Sequence, residues 1–128
     1  MPIVDRNNWE KFLSRHPYAH ILQTDLWGEL KSKYGWDNKF IITRQTGAQM
    51  LLRRLPLGLK IAYVPKGPVG NFDSAFLEEM YEIARAENAL VVYIEPDFLA
   101  GDSRTELFAA AGFSPANISI QAMARLPP

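Results

Sequence analysis

Residues 65–68 form a rigid, positively charged corner, in which Pro65, Lys66, Gly67 and Pro68 follow a strand-like run. The two prolines remove conformational freedom from the loop before any ligand arrives, and a glycine lets a ligand approach the backbone closely. A lysine held in such a loop can contact a phosphate group as a point charge. The alternative is a tight turn at the end of a strand, with a lysine that is simply solvated.

Two tryptophans and a lysine form a second group with binding potential. Trp27 and Lys31 are spaced i, i+4, so in a helix they lie one turn apart on the same face. Together with Trp36, they would give a cation beside an aromatic wall, which suits a nucleotide or a sugar. The alternative is that both tryptophans belong to the core and Lys31 lies at its rim.

Carboxylates and arginines provide two further candidate groups. Glu95, Pro96 and Asp97 end a continuous apolar run, and open α/β sheets usually bind ligands at the carboxyl ends of such strands. Arg53 and Arg54 are adjacent in a predicted strand, so their side chains point to opposite faces. Solvation at the protein surface is the alternative interpretation for both groups.

The sequence lacks residues and motifs that several kinds of chemistry require. Without cysteine there are no disulfides, thiolate nucleophiles or Cys-based zinc sites. The two histidines, His16 and His20, flank Pro17, which interrupts a helix between them, so we interpret them as solvated and expect no metal site. Neither a nucleophile elbow nor a Walker loop is present. The stretch "GPVGNFDSAF" also lacks the Q/R-x-x-G-x-G/A spacing by which acetyltransferases hold coenzyme A, so no cofactor is expected.

The composition is that of one globular domain. The chain has 128 residues, of which 48% are hydrophobic and 22% charged. Basic and acidic residues number 14 each, and this zero net charge argues against a free-standing nucleic-acid binder. No window approaches the roughly 18 apolar residues of a membrane span, and the start "MPIVDRNNWEKF" lacks the apolar region of a signal peptide. We therefore expect a cytoplasmic location, with which the absence of cysteine agrees.

Helices are predicted from capping residues and apolar periodicity. They cover residues 7–16, 24–35, 73–88 and 103–112, with an extended piece, "AHILQ", between the first two. The predicted N-caps are Asn7 or Asn8 for the first helix, Thr24 for the second, Asp73 or Ser74 for the third and, in a Ser-x-x-Glu capping box, Ser103 for the fourth.

Strands are predicted at residues 39–45, 48–55, 60–64, 89–96 and 117–126. The first two flank Thr46-Gly47, which we interpret as a hairpin turn. The order α-α-β-β-β-α-β-α-β predicts an α/β (α+β) domain with a mixed, largely antiparallel sheet and helices on its faces. This order resembles the fold of GNAT-type acyltransferases.

Four segments, in the same order, resemble motifs of the Fem-type aminoacyltransferases, the group of FemA, FemB and FemX. "ILQTDLWGELKSKYGW" is similar to their Q-S/T-x-x-W-G/A-x-x-K…W segment, and "AYVPKGPV" to their Y-x-x-K/R-G-P-V. "VVYIEP" and "AAGF…ISIQ" resemble two weaker motifs, one ending in D/E-P and the other in I/V-Q-P. In this chain Ala122 follows Gln121, where the family usually has proline.

The resemblance implies transfer of an amino acid from an aminoacyl-tRNA to a free amine on the stem peptide of a cell-wall precursor. That precursor is lipid II or its soluble forerunner, UDP-MurNAc-pentapeptide. The family has two GNAT-like halves and uses no coenzyme A. We therefore expect residues 1–128 to be a single GNAT-like domain, the precursor-binding first half, and to be inactive alone. The implied partners are the precursor, aminoacyl-tRNA through the second half, and the inner membrane face by peripheral contact, without a transmembrane segment.

The resemblance also gives the candidate substrate-binding residues by position. Lys31 matches the family's precursor-contacting lysine, Lys66 the basic residue of K/R-G-P, and Glu95 the acid of D/E-P. Trp27 comes from the first motif, Tyr63 and Gly67 from the second, and no catalytic residue is identified. Two other functions fit the sequence: a small GNAT-fold acyltransferase that uses acyl-CoA, and a non-catalytic binding module.

Overall fold

A mixed sheet of seven strands organises the part of the chain that the computed structural model describes, residues 2–98, 101–116 and 122–127. The strands are β1 (Ile3–Val4), β2 (Trp36–Thr43), β3 (Thr46–Arg54), β4 (Lys60–Pro65), β5 (Ala89–Glu95), β6 (Ser114–Pro115) and β7 (Met123–Arg125). Their order across the sheet is β1-β2-β3-β4-β5-β7-β6. Within these ranges β4 and β5 pair in parallel and every other neighbouring pair is antiparallel, which confirms the predicted mixed, largely antiparallel sheet.

Helices cover both faces of this sheet. They are α1 (Arg6–Ser14), α2 (Asp25–Ser32), α3 (Ser74–Ala86) and α4 (Thr105–Ala110), with short 3-10 turns at Ile21–Gln23 and Pro56–Gly58. The larger core lies on one face, where Met80 of α3 and Phe108 of α4 pack against Val64 and Ile94. On the other face α1 contributes Trp9, which is fully buried and stacks on Phe40 at a centroid distance of 5.4 Å. No helix in the described ranges is long and apolar enough to cross a membrane.

Helix starts show how well capping residues were predicted. Thr24 and Asp73 are the N-caps of α2 and α3, as predicted, because their side-chain oxygens accept backbone N–H groups three residues later. The prediction for α1 was wrong. Its N-cap is Asp5, whose carboxylate accepts the backbone N–H of Asn8 at 2.9 Å, so an earlier and charged acceptor takes the position.

The predicted capping box at Ser103 was also wrong. The helix begins at Thr105, and the side chain at its N-cap position, Arg104, makes no capping hydrogen bond. Instead the carboxylate of Asp102 accepts both the backbone N–H and the guanidinium of Arg104. These bonds hold the pKa of Asp102 down at about 2, first through the side-chain bond and then through the backbone bond. A local turn therefore takes precedence over the capping pattern.

The β2–β3 hairpin differs from its prediction in both turn and length. Thr43 pairs with Thr46, so the turn is Arg44-Gln45 and not Thr46-Gly47. Gly47 lies inside β3 because α1 crosses there, and a Cβ on it would come within 2.9 Å of the rings of Trp9 and Phe12. The glycine thus allows α1 to pack closely on the sheet and is not part of the turn that reverses the chain.

Other strand boundaries also changed. Strand β2 begins at Trp36 and not at 39, which places that tryptophan on the sheet. The "AHILQ" segment contains a 3-10 turn and is not extended, since Nδ1 of His20 accepts the backbone N–H of Leu22 at 3.1 Å. Of the predicted last strand, residues 123–125 form β7, and residues 117–121 lie outside the described ranges.

Candidate functional site

Strand register places several of the candidate residues on one face of the sheet. Trp36 pairs with Arg53, and Leu51, two residues before Arg53, pairs with Tyr63. Tyr63 and Glu95 lie on the same face of the β4–β5 pair, since Tyr63 is two residues before Pro65, the partner of Glu95. We call this the site face; it is opposite the face that carries the α3 and α4 core.

Trp36 lies close to three of the other candidate side chains. Nζ of Lys31 lies 5.8 Å from the centroid of its ring and 5.4 Å from the ring of Trp27, so the ammonium group is held near two indoles. The guanidinium carbon of Arg53 lies 5.7 Å from Trp36, and the ring of Tyr63 lies 6.3 Å from it. Cation–π contacts of this kind contribute about 0.5–1 kcal/mol each at exposed sites, so both cations have a preferred position before any ligand binds.

Glu95 connects this aromatic group to the Lys66 corner. The hydroxyl of Tyr63 donates to Oε1 of Glu95 at 3.4 Å, and Nζ of Lys66 lies 3.9 Å from the same oxygen. All three side chains are partly exposed. A continuous series of contacts therefore joins Lys31 to Lys66 through Trp36, Tyr63 and Glu95.

The corner itself is anchored by the buried side chain of Gln23. Its Nε2 donates to the carbonyl of Pro65 at 2.6 Å, and its Oε1 accepts the backbone N–H of Gln49 at 2.7 Å. Ladder pairs between β3 and β4 end at Leu51 and Tyr63, so the amide of Gln23 bridges the two strands where they have separated. Such bonds satisfy backbone groups that would otherwise be buried without partners.

Gly67 of this corner packs against the side chain of Gln23. It is buried, and a Cβ on it would lie 3.0 Å from the side-chain amide of Gln23, so the space that a larger side chain would need is already occupied. The preceding residue, Lys66, has a positive φ of 52°, an uncommon value for a residue with a side chain. The proposed contact of Gly67 with a ligand stays a prediction, while its contact with Gln23 is observed.

Helix α2 approaches the sheet closely at Gly28. A Cβ on this buried residue would overlap the amide oxygen of Gln49 and come within 2.6 Å of Nδ2 of Asn38. Gln49 is itself buried, and its Nε2 donates to the carbonyl of Thr24 at 2.7 Å. This close approach brings Trp27 and Lys31, on either side of Gly28 in the helix, to the sheet.

The indole N–H of Trp27 is a buried donor without an acceptor in the described part of the chain.

Neither histidine belongs to the site. Nδ1 of His16 lies 3.0 Å from the carbonyl of Phe12, and His20 caps the 3-10 turn. Both histidines therefore have local structural roles.

A separate cavity of about 680 Å³ lies at the hairpin end of the sheet. It is lined by His16, Tyr18, Thr43, Arg44, Gln45, Thr46, Gly70, Asn71, Asp73, Ala75, Phe76 and Glu79. None of the predicted site residues lines it, so the candidate site is separate from this cavity.

Tyr63 is expected to lose its proton only at a higher pH than a free tyrosine. Burial, and then the charge of Glu95 and its hydrogen bond, raise the pKa of Tyr63 from 10 to about 12. Because the folded-state pKa is raised, the resulting stabilisation is complete below about pH 10 and is lost as the pH rises toward 12. Glu95→Gln should lower the pKa of Tyr63, since the carboxylate charge disappears while burial remains.

Absorbance titration of tyrosinate would measure this shift, with Tyr63→Phe identifying the late transition by its disappearance. A wild-type Tyr63 that titrates near 10, like a free tyrosine, would show that neither burial nor the bond to Glu95 acts on its hydroxyl in solution.

Comparison with known proteins supports the resemblance to the Fem-type aminoacyltransferases. Residues 4–126 match the FemAB family. The lipid II:glycine glycyltransferase of Staphylococcus haemolyticus is 32% identical over 105 residues, which are 73% of this chain and 25% of that protein. The enzyme of the same name from Staphylococcus aureus is 31% identical with the same coverage.

Part of a solved crystal structure of FemX has the same fold as this chain. The two superpose with a TM-score of 0.74 at 27% sequence identity, over 91% of this chain and 33% of FemX. The chain therefore spans about a quarter of the length of the curated relatives and a third of the FemX chain.

Proposed function

Because this chain belongs to the FemAB family, we propose that it binds a peptidoglycan precursor for an enzyme that adds an amino acid to the precursor's stem peptide. The acceptor is lipid II or UDP-MurNAc-pentapeptide. The name of the staphylococcal relatives, lipid II:glycine glycyltransferase, supports this reaction class. A lipid II acceptor would bring the chain to the inner, cytoplasmic face of the membrane.

The observation that carries the proposal is the joined surface from Lys31 to Lys66. It combines cations, which suit the phosphates of a precursor, with indole and phenol rings, which suit its sugar or base. Trp27, Tyr63, Lys66 and Glu95 stay candidate contacts by the same reasoning, because all of them lie along this surface.

The donor that we propose is an aminoacyl-tRNA, bound with the help of residues outside this chain. The acceptor amine, once it has lost its proton, attacks the ester carbonyl. An amide C–N bond forms, the ester C–O bond breaks, and the ribose oxygen of the tRNA leaves as a hydroxyl with the proton that the attacking nitrogen gives up. The ester is already activated, so the protein needs to supply mainly proximity and charge placement. This chemistry requires neither a catalytic triad nor coenzyme A.

The acyl-CoA alternative fits the structure less well. A phosphate-binding helix N-terminus presents free N–H groups to the anion. At the start of α3 the carboxylate of Asp73 already accepts the N–H of Phe76 at 2.9 Å. A carboxylate at this position would repel the diphosphate of coenzyme A.

Lys31→Gln is expected to weaken binding of UDP-MurNAc-pentapeptide by at least about tenfold, because a hydrogen bond to a charged group contributes about 1.5–3 kcal/mol. Calorimetry or NMR titration of the wild type and the variant would measure the loss. Lys33→Gln is the matched control, since Lys33 follows α2 and is exposed, and its affinity should equal that of the wild type.

Two results would contradict the proposal. The first is the absence of shifts around Lys31, Trp36 and Lys66 at millimolar precursor while the fold is intact. The second is an equal loss of affinity in the Lys31 and Lys33 variants, which would indicate only non-specific attraction by positive charge.

A further inference from the structure

We propose that Arg53, and not Lys66, is the second cation that binds the precursor's diphosphate together with Lys31. This inference rests on the proposed function, because it assigns a residue to the diphosphate that lipid II and UDP-MurNAc-pentapeptide share. The sequence patterns single out Lys66 by its proline-flanked loop, whereas Arg53 carries no motif.

The charge balance of the site face separates the two residues. Nζ of Lys66 lies 3.9 Å from Oε1 of Glu95, so a carboxylate already offsets part of its charge. Lys31 and Arg53 have no carboxylate partner among the described residues; they lie instead beside the rings of Trp27 and Trp36. An anion that approaches the site face therefore meets the least compensated positive charge at Trp36.

The neighbouring arginine, Arg54, differs from Arg53 because it has a carboxylate partner. Arg54 points to the opposite face of β3, where its Nε lies 3.8 Å from Oδ2 of Asp37. Both arginines are exposed, so exposure does not distinguish them. What differs is the partner, which is an acid for Arg54 and an indole for Arg53.

Two cations lie near the same indole ring, so a ligand with two charged groups finds a partner for each of them at Trp36. The two cations lie 5.8 Å and 5.7 Å from the same indole centroid, one on a helix and the other on a strand. A diphosphate has two charged phosphoryl groups that can each contact one cation. The planar guanidinium of Arg53 can donate two parallel hydrogen bonds to one group, and Lys31 can contact the other as a point charge.

Inorganic pyrophosphate is the first probe, because it tests the diphosphate site without the sugar or the peptide. NMR titration should shift the indole N–H of Trp36 in the wild type. Arg53→Gln should weaken pyrophosphate binding about tenfold, and Arg53→Lys should restore part of this loss by returning the charge. Arg54→Gln, at the adjacent position on the other face, should leave the affinity unchanged, and Lys66→Gln should reduce it less than Arg53→Gln does.

A second pair of titrations, with UDP-MurNAc-pentapeptide and with lipid II in detergent micelles, distinguishes the two sources of the diphosphate. Arg53→Gln should weaken whichever of them the wild type binds. A precursor that binds the wild type and the Arg53→Gln variant equally well would overturn the role of Arg53 but leave the proposed function intact.

Three other results would overturn the inference. They are pyrophosphate that does not bind the wild type at millimolar concentration, an Arg54→Gln loss equal to that of Arg53→Gln, and a Lys66→Gln loss that is larger. If pyrophosphate binds as expected but neither precursor does, the proposed function fails and the diphosphate site remains.

Discussion

Gln23→Leu is expected to lower the free energy of unfolding by about 3 kcal/mol, because it leaves two buried backbone groups without partners. These are the N–H of Gln49 and the carbonyl of Pro65, which the Gln23 amide bonds at 2.7 Å and 2.6 Å. An unsatisfied buried group costs about 1–3 kcal/mol. Leucine is of similar size, so the loss would come from hydrogen bonding and not from an empty cavity.

Urea denaturation of the two proteins would measure this difference. Gln45→Leu is the matched control, because Gln45 is exposed in the β2–β3 turn, and substitutions at such surface positions usually change stability by less than about 0.5 kcal/mol. If the free energy of unfolding of the Gln23→Leu variant lies within about 1 kcal/mol of that of the control, the amide bridge between β3 and β4 does not stabilise the fold.

The loss should also be visible in the binding site. The Gln23 amide holds the carbonyl of Pro65, directly before Lys66, and lies against Gly67. Under conditions in which the Gln23→Leu variant remains folded, we expect faster amide hydrogen exchange at Lys66 and Gly67 than in the wild type. Exchange at α4, which lies across the sheet, should change less.

Gly28→Ala is expected to destabilise the protein by about 2 kcal/mol, although alanine is the better helix former. Helix propensity alone would favour the variant by about 1 kcal/mol. The added Cβ, however, overlaps the amide oxygen of Gln49, whose side chain is buried and bonded to the carbonyl of Thr24 and to Asn38. Moving this side chain breaks those bonds, and overpacking costs about 1–3 kcal/mol more.

The same substitution should weaken binding of UDP-MurNAc-pentapeptide about tenfold, because a shift of α2 displaces Lys31 from Trp36. The control is the double variant Gly28→Ala with Gln49→Ser, which makes room for the new Cβ. The double-mutant cycle should give a coupling free energy of binding of at least about 1 kcal/mol, so that the double variant loses less affinity than the two single variants together. Additive losses would mean that Gln49 does not limit the approach of the helix.

Local sequence patterns were sufficient to predict the order of the major elements and the fold class. The caps Thr24 and Asp73 and the apolar run of β5 depend on residues close in sequence, and such signals can be recognised without knowledge of the fold. Short β1, with two residues, has no comparable signal and was not predicted.

The functions of the glycines could not be predicted in the same way. Gly28, Gly47 and Gly67 each make room for side chains from another element. A turn has a local signature, but a close approach between layers depends on residues that are distant in sequence. This is why Gly47 was assigned to a turn and Gly67 to a ligand.

The candidate site was predicted in part for a similar reason. Lys31, Lys66 and Glu95 come from motifs, and the structure joins all three through Trp36 and Tyr63. The partial neutralisation of Lys66 by Glu95 depends on the parallel pairing of β4 with β5. The position of Arg53 beside Trp36 depends on the register of β2 with β3. Neither pairing register can be derived from one strand alone.

The bridge made by Gln23 also constrains how the chain can evolve. A single side chain from the 3-10 turn before α2 completes the hydrogen bonding of two strands, and Trp9 in turn donates to the carbonyl of Gln23 at 2.8 Å. Shortening or lengthening the segment between α1 and α2 would shift this amide out of reach of both strands. Insertions should therefore be tolerated at the exposed Pro56–Gly58 turn far better than in that connection, where loop length is tied to the geometry of the sheet.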